Sequence, residues 1–393
     1  MRWRIGACNR AADHHSGFAA ANDQEGEKIA EPREGAMLRT ALIGLALTLF
    51  AAPAVQAQDL QPRPLRFGWQ ASTPVAPFWV GFEQRTYEAQ GLKLDLQSFN
   101  DNAPELEALT ARQVDLAAVA PVPTLQMTSL GAPLKVIAAV EYAFTDKQGN
   151  RWSAVNLTAR KDTGVQSLKD LAGKRIAVFG LSSNWYLALR DRFREAGVDP
   201  NGVRFLSMPY TQMEGALVHN EVDAAVMTAI GAYHVSQRIP TTQLMTSDEI
   251  TQIAIDMSQV ITARADWLRD HEEEAVRFLM GMLTTRKFIE DDVTQNGGVK
   301  VKEIMAKALK LDTDTNEAFF KLRIASTGRE RDLLNPLDLP KATFVAYGKI
   351  LTESGQLRGK PVVTYEQIVD ISYLRKAYGR LGMKWDEDKV VSQ

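Results

Sequence analysis

One unit is written twice in this chain. Arg112 to Pro121 reads RQVDLAAVAP and Asn220 to Ala229 reads NEVDAAVMTA, and an Ala-Leu pair precedes each Val-Asp, at Ala108-Leu109 and Ala216-Leu217. The shared pattern is A-L-x4-V-D-x-A. Each copy reads as the end of a helix feeding a short apolar strand, so the chain is constrained to two bodies of one plan in which strands and helices alternate.

The elements around each copy follow that plan. Leu65 to Gln70 and Leu92 to Phe99 have strand patterning, and Phe78 to Gln90 between them has helical length and ends at Gly91. A helix over Pro104 to Arg112, the strand VDLAAVA, a helix from Pro123 and the strand Leu134 to Val140 complete a first β-α-β-α-β-α-β set. After Trp152 the scheme restarts. Asn156 to Arg160 reads as a connecting strand, SLKDLAGKRIAVFG as a short helix and a buried strand, and SSNWYLALRDRFREAG as a capped amphipathic helix. VRFLSMPY, the helix through Ala216-Leu217 and VDAAVMTA close the second set.

Composition narrows the function classes. The chain has 393 residues, 45% hydrophobic and 24% charged, which suits a globular protein of two domains. A net charge of -2 argues against a nucleic-acid partner or a polybasic membrane surface. One cysteine, Cys8, rules out a disulfide framework and a cysteine metal site. No H-E-x-x-H, G-x-S-x-G or G-x4-G-K-[ST] motif occurs. We therefore expect no cofactor, no metal and no enzymatic activity. Met37 to Gln58 reads MLRTALIGLALTLFAAPAVQAQ, a basic start at Arg39, an apolar core from Ala41 to Ala52 and a small-x-small site at Val55 to Ala57. That core is shorter than the roughly 20 residues that span a bilayer. It reads as a secretory signal over 37–57, cleaved after Ala57, with no stable membrane insertion of the mature chain. Residues 1–36 are polar and patternless, and translation is expected to start at Met37.

SLKDLAGKRIAVFG, the following helix ending in EAGVDP, and the VDAAV strand resemble the substrate-binding proteins of ABC transporters in the nitrate, sulfonate and taurine family, a group related to the thiamine-pyrimidine-synthase-like proteins. GLKLDLQSF, VDLAAVAPVP and GAPLKVIAAV fit the same family, and the resemblance covers roughly Leu65 to Ile261. It implies a type II periplasmic-binding-protein fold, two α/β lobes joined by a hinge, with a helical C-terminal extension on lobe I. The corresponding boundaries are 58–155 for the first part of lobe I, 156–251 for lobe II, and 252–393 for the return to lobe I and the extension. It further implies a periplasmic monomer that captures a small organic or inorganic solute in an interlobe cleft. The solute classes are sulfonate, nitrate, taurine or similar, and delivery is to an ABC transporter permease with its ATPase. The alternative is an enzyme of pyrimidine or cofactor biosynthesis on the same fold.

Ligands of open α/β sheets bind beyond the carboxyl ends of the strands, so residues just after strands are the site candidates. The loops there supply Gln70, Asp101, Asn102, Val122 and Gln212 among others, and the candidates taken from them in lobe I are Ser72, Thr73, Asn100, Pro121, Glu141 and Tyr142. In lobe II they are Ser182, Ser183, Asn184, Trp185, Tyr210 and Thr228. Ser182, Ser183 and Asn184 stand where a strand gives way to a helix, and either cap that helix or hold an anionic or hydrogen-bonding group. Trp185 and Tyr142 offer rings for a planar ligand, and Trp79 offers the same or fills core. Glu141 has no capping role and suits an amine or ring N-H. Asp101 reads as the cap of the Pro104 helix. A residue at Trp185, in a first turn facing a cleft, is expected to contribute little to the core.

Overall fold

The computed structural model describes residues 63–70, 75–145, 151–321 and 334–389. The segment 37–57 expected to be a secretory signal, residues 1–36, Ser72 and Thr73 lie outside them.

Two mixed sheets carry the fold. The first comprises β1 (Arg63–Trp69), β2 (Leu92–Ser98), β3 (Leu116–Val119), β4 (Leu134–Thr145), β5 (Arg151–Trp152) and the late strand β11 (Ile255–Arg264), in the order β2-β1-β3-β11-β4-β5. The second comprises β6 (Val155–Arg160), β7 (Arg175–Val178), β8 (Arg204–Ser207), β9 (Ala224–Thr228) and β10 (Thr241–Thr246), in the order β10-β6-β9-β7-β8. Read from its other edge, the second order is β8-β7-β9-β6-β10, the plan of β2-β1-β3-β11-β4. In each sheet three strands run parallel, and the strand arriving from the opposite lobe, β11 or β6, pairs antiparallel in the middle. This is the two-lobed, type II periplasmic-binding-protein architecture.

The repeated pattern has a physical cause. Helix α2 (Asn102–Thr110) precedes β3, and helix α5 (Tyr210–Val218) precedes β9. After each helix the chain passes through one left-handed residue, Arg112 at φ 63° and Asn220 at φ 59°. Each repeated aspartate then clamps an arginine on the neighbouring parallel strand. Asp115 accepts from the Arg66 backbone N-H at 3.0 Å and from its guanidinium at 2.6 Å, and Asp223 accepts from the Arg175 backbone N-H at 2.8 Å and from its guanidinium at 3.0 Å. The Arg175 hydrogen bond holds Asp223 below the usual carboxylate range. The same correspondence exposes a second repeat in the sequence, T-A-R-x-D, at Thr158 to Asp162 and Thr262 to Asp266. Its arginines end β6 and β11 and perform one task. Arg160 donates to the carbonyls of Leu217 and Val218 at the end of α5, and Arg264 to that of Leu109 at the end of α2 and to that of Val114 in the turn after it.

The first helix, α1 (Ala76–Glu83), stops seven residues short of the expected Gln90. Arg85 turns left-handed at φ 54°, the Thr86 N-H returns to the Gly81 carbonyl, and Tyr87 is driven into the core. There its ring stacks on Phe278 at 5.1 Å. Burial of the tyrosine overrides the helical pattern of the sequence.

Helices α3 (Pro121–Ser129), α4 (Asn184–Glu195), α6 (Ala229–Ser236) and α7 (Ser247–Thr251) complete the two lobes. The C-terminal part is helical: α8 (Ala265–Asp270), α9 (Glu272–Asn296), α10 (Val299–Leu309), α11 (Thr313–Phe319), α12 (Lys341–Glu353), α13 (Tyr365–Ile368) and α14 (Ser372–Arg380). Most of it lies on lobe I, with α9 against α1 and α14, and α13 on β4. It does not stay there, because α11 packs on α6 and α12 lies between α3 and α4. The extension therefore touches both lobes.

Asp223→Ala leaves the Arg175 backbone N-H without its carboxylate acceptor, and should lower the unfolding free energy by about 1–3 kcal/mol. Asp115→Ala should do the same in lobe I. Urea unfolding of the two variants beside the parent measures it, and a loss in one alone would mean that the repeats do not share a task.

Candidate ligand-binding cleft

The strand ends of the two sheets meet across a cleft. Lobe I contributes Gln70 after β1, Asn102 at the start of α2, Ala120 after β3, Glu141 from β4, and Ser258 and Gln259 from β11. Lobe II contributes Ala154 and Val155 at the start of β6, Phe179 after β7, Ser183 and Trp185 at the head of α4, Tyr210 at the head of α5, and Thr228 to Ile230. Val75 and Phe319 complete the lining. The duplication carries into the cleft. Gln70 and Phe179 occupy matching positions after the first strand of each lobe, Ala120 and Thr228 after the third, and Ser258-Gln259 and Ala154-Val155 on the crossing strands. Matching backbone holds unlike chemistry, hydrogen-bonding on lobe I and largely aromatic or aliphatic on lobe II.

The polar side of lobe I is tied down from behind. The Asn102 side-chain oxygen accepts from the Ala120 N-H at 2.9 Å and from the Gln70 amide at 3.0 Å, and that amide also donates to Glu105 at 3.0 Å. Glu105 is fully buried, and burial pushes its carboxyl well above the usual range. On lobe II, Phe179 and Tyr210 stack with ring centroids 4.6 Å apart at 7° and form a flat wall. At the rim the lobes approach closely. Gly180 is left-handed at φ 73°, and a Cβ there would lie 2.9 Å from Asp101 Oδ1, so both its conformation and its neighbour require glycine. Asp101 caps α2, as its position before that helix suggested.

Five of the twelve candidates line the cleft: Glu141, Ser183, Trp185, Tyr210 and Thr228. Ser183 and Thr228 also cap α4 and α6, so capping and cleft position coincide. Ser72 and Thr73 lie outside the described residues. The other five point elsewhere. β4 continues to Thr145 instead of ending at Val140, so Glu141 and Tyr142 are strand residues on opposite faces. Glu141 meets the cleft, whereas Tyr142 is buried and donates to the Asp338 carbonyl at 2.7 Å. Asn184 faces inward, fully buried. Pro121 is the first residue of α3, suited to a position that needs no N-H donor, and Ala120 before it lines the cleft. Asn100 is exposed and Ser182 half-buried, both off the lining. Trp79 is half-buried and packs against Trp69 at the edge of the core, with centroids 4.9 Å apart. Gln70 and Asn102 are among the loop residues that the strand-end rule supplies, outside the twelve candidates taken from them. Ser258 and Gln259 lie on a crossing strand, where that rule does not look.

Trp185 belongs to core and cleft together. It is 6% exposed, and its Nε1 donates to Asp256 Oδ2 at 3.0 Å. Asp256, on β11, is completely buried and also accepts from the Tyr347 hydroxyl of α12 at 2.5 Å and from the Asn184 amide at 3.3 Å. The Tyr347 oxygen in turn accepts from the Met257 N-H at 2.7 Å. Burial pushes Asp256 up to about 6, against the opposing pull of these donors. The expectation that Trp185 contributes little to the core is thus corrected.

A family model described as NMT1/THI5 like matches residues 72–290. The chain belongs to the NMT1/THI5-like family. A protein of Brucella abortus (strain 2308), provisionally named a binding protein, is 26% identical over 196 residues, which are 48% of this chain and 54% of that protein. The chain spans about half the length of the curated relatives it matches. Among solved structures, the alkanesulfonate-binding protein SsuA from Xanthomonas axonopodis pv. citri, bound to MOPS, is 15% identical, with a TM-score of 0.62 over 79% of this chain and 99% of that one. The periplasmic nitrate-binding protein NrtA from Synechocystis PCC 6803 is 13% identical, with a TM-score of 0.60 over 85% and 92%. The desulfurization enzyme DSZB is also similar, at 13% identity and a TM-score of 0.56 over 81% and 99%. These likenesses establish the fold and leave the activity to the cleft.

A carboxyl whose native pKa is raised holds its proton in the folded state over a range in which the unfolded chain has released it. Asp256, raised from 3.8 to about 6, therefore lowers stability as pH rises from about 4 to about 6, by about 3 kcal/mol over the window. Asp338, likewise raised by burial to about 6, adds in the same direction. Asp256→Asn should flatten this dependence, and denaturant unfolding at pH 5 and pH 7.5 compares the two proteins. An unchanged slope would show that Asp256 titrates normally.

Proposed function

We propose that this chain is an extracytoplasmic solute-binding protein that takes a small solute into the interlobe cleft and presents it to the permease and ATPase of an ABC importer. The observation that carries this reading is the convergence of hydrogen-bonding groups from lobe I and an aromatic wall from lobe II on one space between two bodies joined by crossing strands. Enclosure between lobes buries most of a small ligand, and closure about the crossings gives an importer two shapes to distinguish. Family membership and the periplasmic binding proteins among the structural neighbours support it. Among the described residues no helix is long and apolar enough to cross a membrane. The reading places the protein in the periplasm as a monomer, exported through the signal segment ending at Ala57.

The mature chain, produced from Gln58, should show ligand-dependent melting in a screen of small solutes, since binding to the native state alone raises stability by RT ln(1 + [L]/Kd). Small-angle scattering with a confirmed solute should show a monomer that becomes more compact. A confirmed solute that leaves the scattering unchanged would count against closure. Its chemical turnover would replace this reading with an enzymatic one.

A further inference from the structure

Gln259 is 5% exposed and lines the cleft, yet its Oε1 receives no hydrogen bond among the described residues. Leaving a buried amide oxygen unmet costs free energy that folding alone does not recover. The fold does not demand an amide here, because the matching position on the other crossing strand is Val155. The backbone is locally adapted to present it. The β11–β4 register is irregular on both sides of Gln259, between Met257 and Gln259 and between Gln259 and Val260. Irregularities of this kind re-aim side chains beside binding sites. Gln259 also faces Glu141 across the ladder, which places a carboxylate beside the carboxamide. Opposite them stand the stacked rings of Phe179 and Tyr210.

On the reading of this cleft as a solute site, we propose that Gln259 is its specificity-determining residue. It selects a flat, uncharged or weakly basic solute whose edge carries a hydrogen-bond donor beside an acceptor, as in a carboxamide, a lactam or an amino-substituted ring nitrogen. A primary amide offers a donor and an acceptor side by side and pairs with such an edge through two hydrogen bonds. The face of the same solute lies along the aromatic wall. An oxyanion presents acceptors alone and cannot satisfy Oε1.

Calorimetry with benzamide, 2-pyridone and 2-aminopyridine, against methanesulfonate and nitrate, tests this on the mature chain. At least one of the first three should bind. Gln259→Met, close in volume, should weaken it by about tenfold or more, the scale of one lost buried hydrogen bond. Its melting temperature without solute should be unchanged or raised, since an unmet polar group has been removed. Gln259→Glu, which only accepts, should lose 2-pyridone while keeping protonated 2-aminopyridine, and this selectivity decides the matter if the Met variant folds poorly. Binding of methanesulfonate or nitrate with none of the three overturns this inference and leaves the solute-binding reading standing. Binding of the three that is indifferent to both substitutions overturns the role of Gln259. Binding of neither series overturns this inference, and the wider melting screen of small solutes then decides the solute-binding reading separately.

Discussion

A carboxylate with no cation paired to it among the described residues sits at the joint of the molecule. Asp256 takes donors from Trp185 and Asn184 at the head of α4 and from Tyr347 on α12, while its own backbone belongs to β11. Lobe II, the crossing strand and the C-terminal extension are thus fixed to one another through a single side chain. Charge buried this way is costly, and its neighbours compensate with aimed dipoles instead of an opposite charge. The geometry of the cleft follows, because the same contacts set the plane of the Trp185 ring, and β11 carries Ser258 and Gln259 two and three residues beyond the aspartate.

The scaffold was legible because it is written in local patterns. Alternating elements, the Val-Asp repeat and the serine before α4 each state a backbone requirement within a few residues. The second repeat, T-A-R-x-D, was equally present but meaningless until β6 and β11 were known to be equivalent strands. The cleft was legible only in part, for reasons of reach. Taking Val140 as the end of β4 turned Glu141 and Tyr142 into loop neighbours, whereas strand alternation sends one to the cleft and the other to the core. Asn184 looked like a ligand group because its partner Asp256 stands 72 residues away. Gln259 owes its position to a register irregularity, which no side-chain pattern announces.

Likeness at 13–15% identity to proteins of different tasks fits what the two lobes show within one chain. Matching positions after the strands hold Gln70 and Phe179, Ala120 and Thr228, or Gln259 and Val155, with the backbone plan kept throughout. Arginine clamps and helix ends are repeated because the plan needs them, and cleft residues are free to differ because it does not.

The exchange of crossing strands bears on how the chain acquires its shape. β11 lies between β3 and β4, so lobe I has a gap at its centre until a segment made after all of lobe II arrives. Arg264 reaches the Leu109 carbonyl across 155 residues of chain. Contacts so distant in sequence slow folding, because the entropy of closing the intervening chain is lost before they form. Until then β3 and β4 expose unpaired edges, the usual template for misassociation. A chain built this way can complete lobe I only after the whole of lobe II has been made.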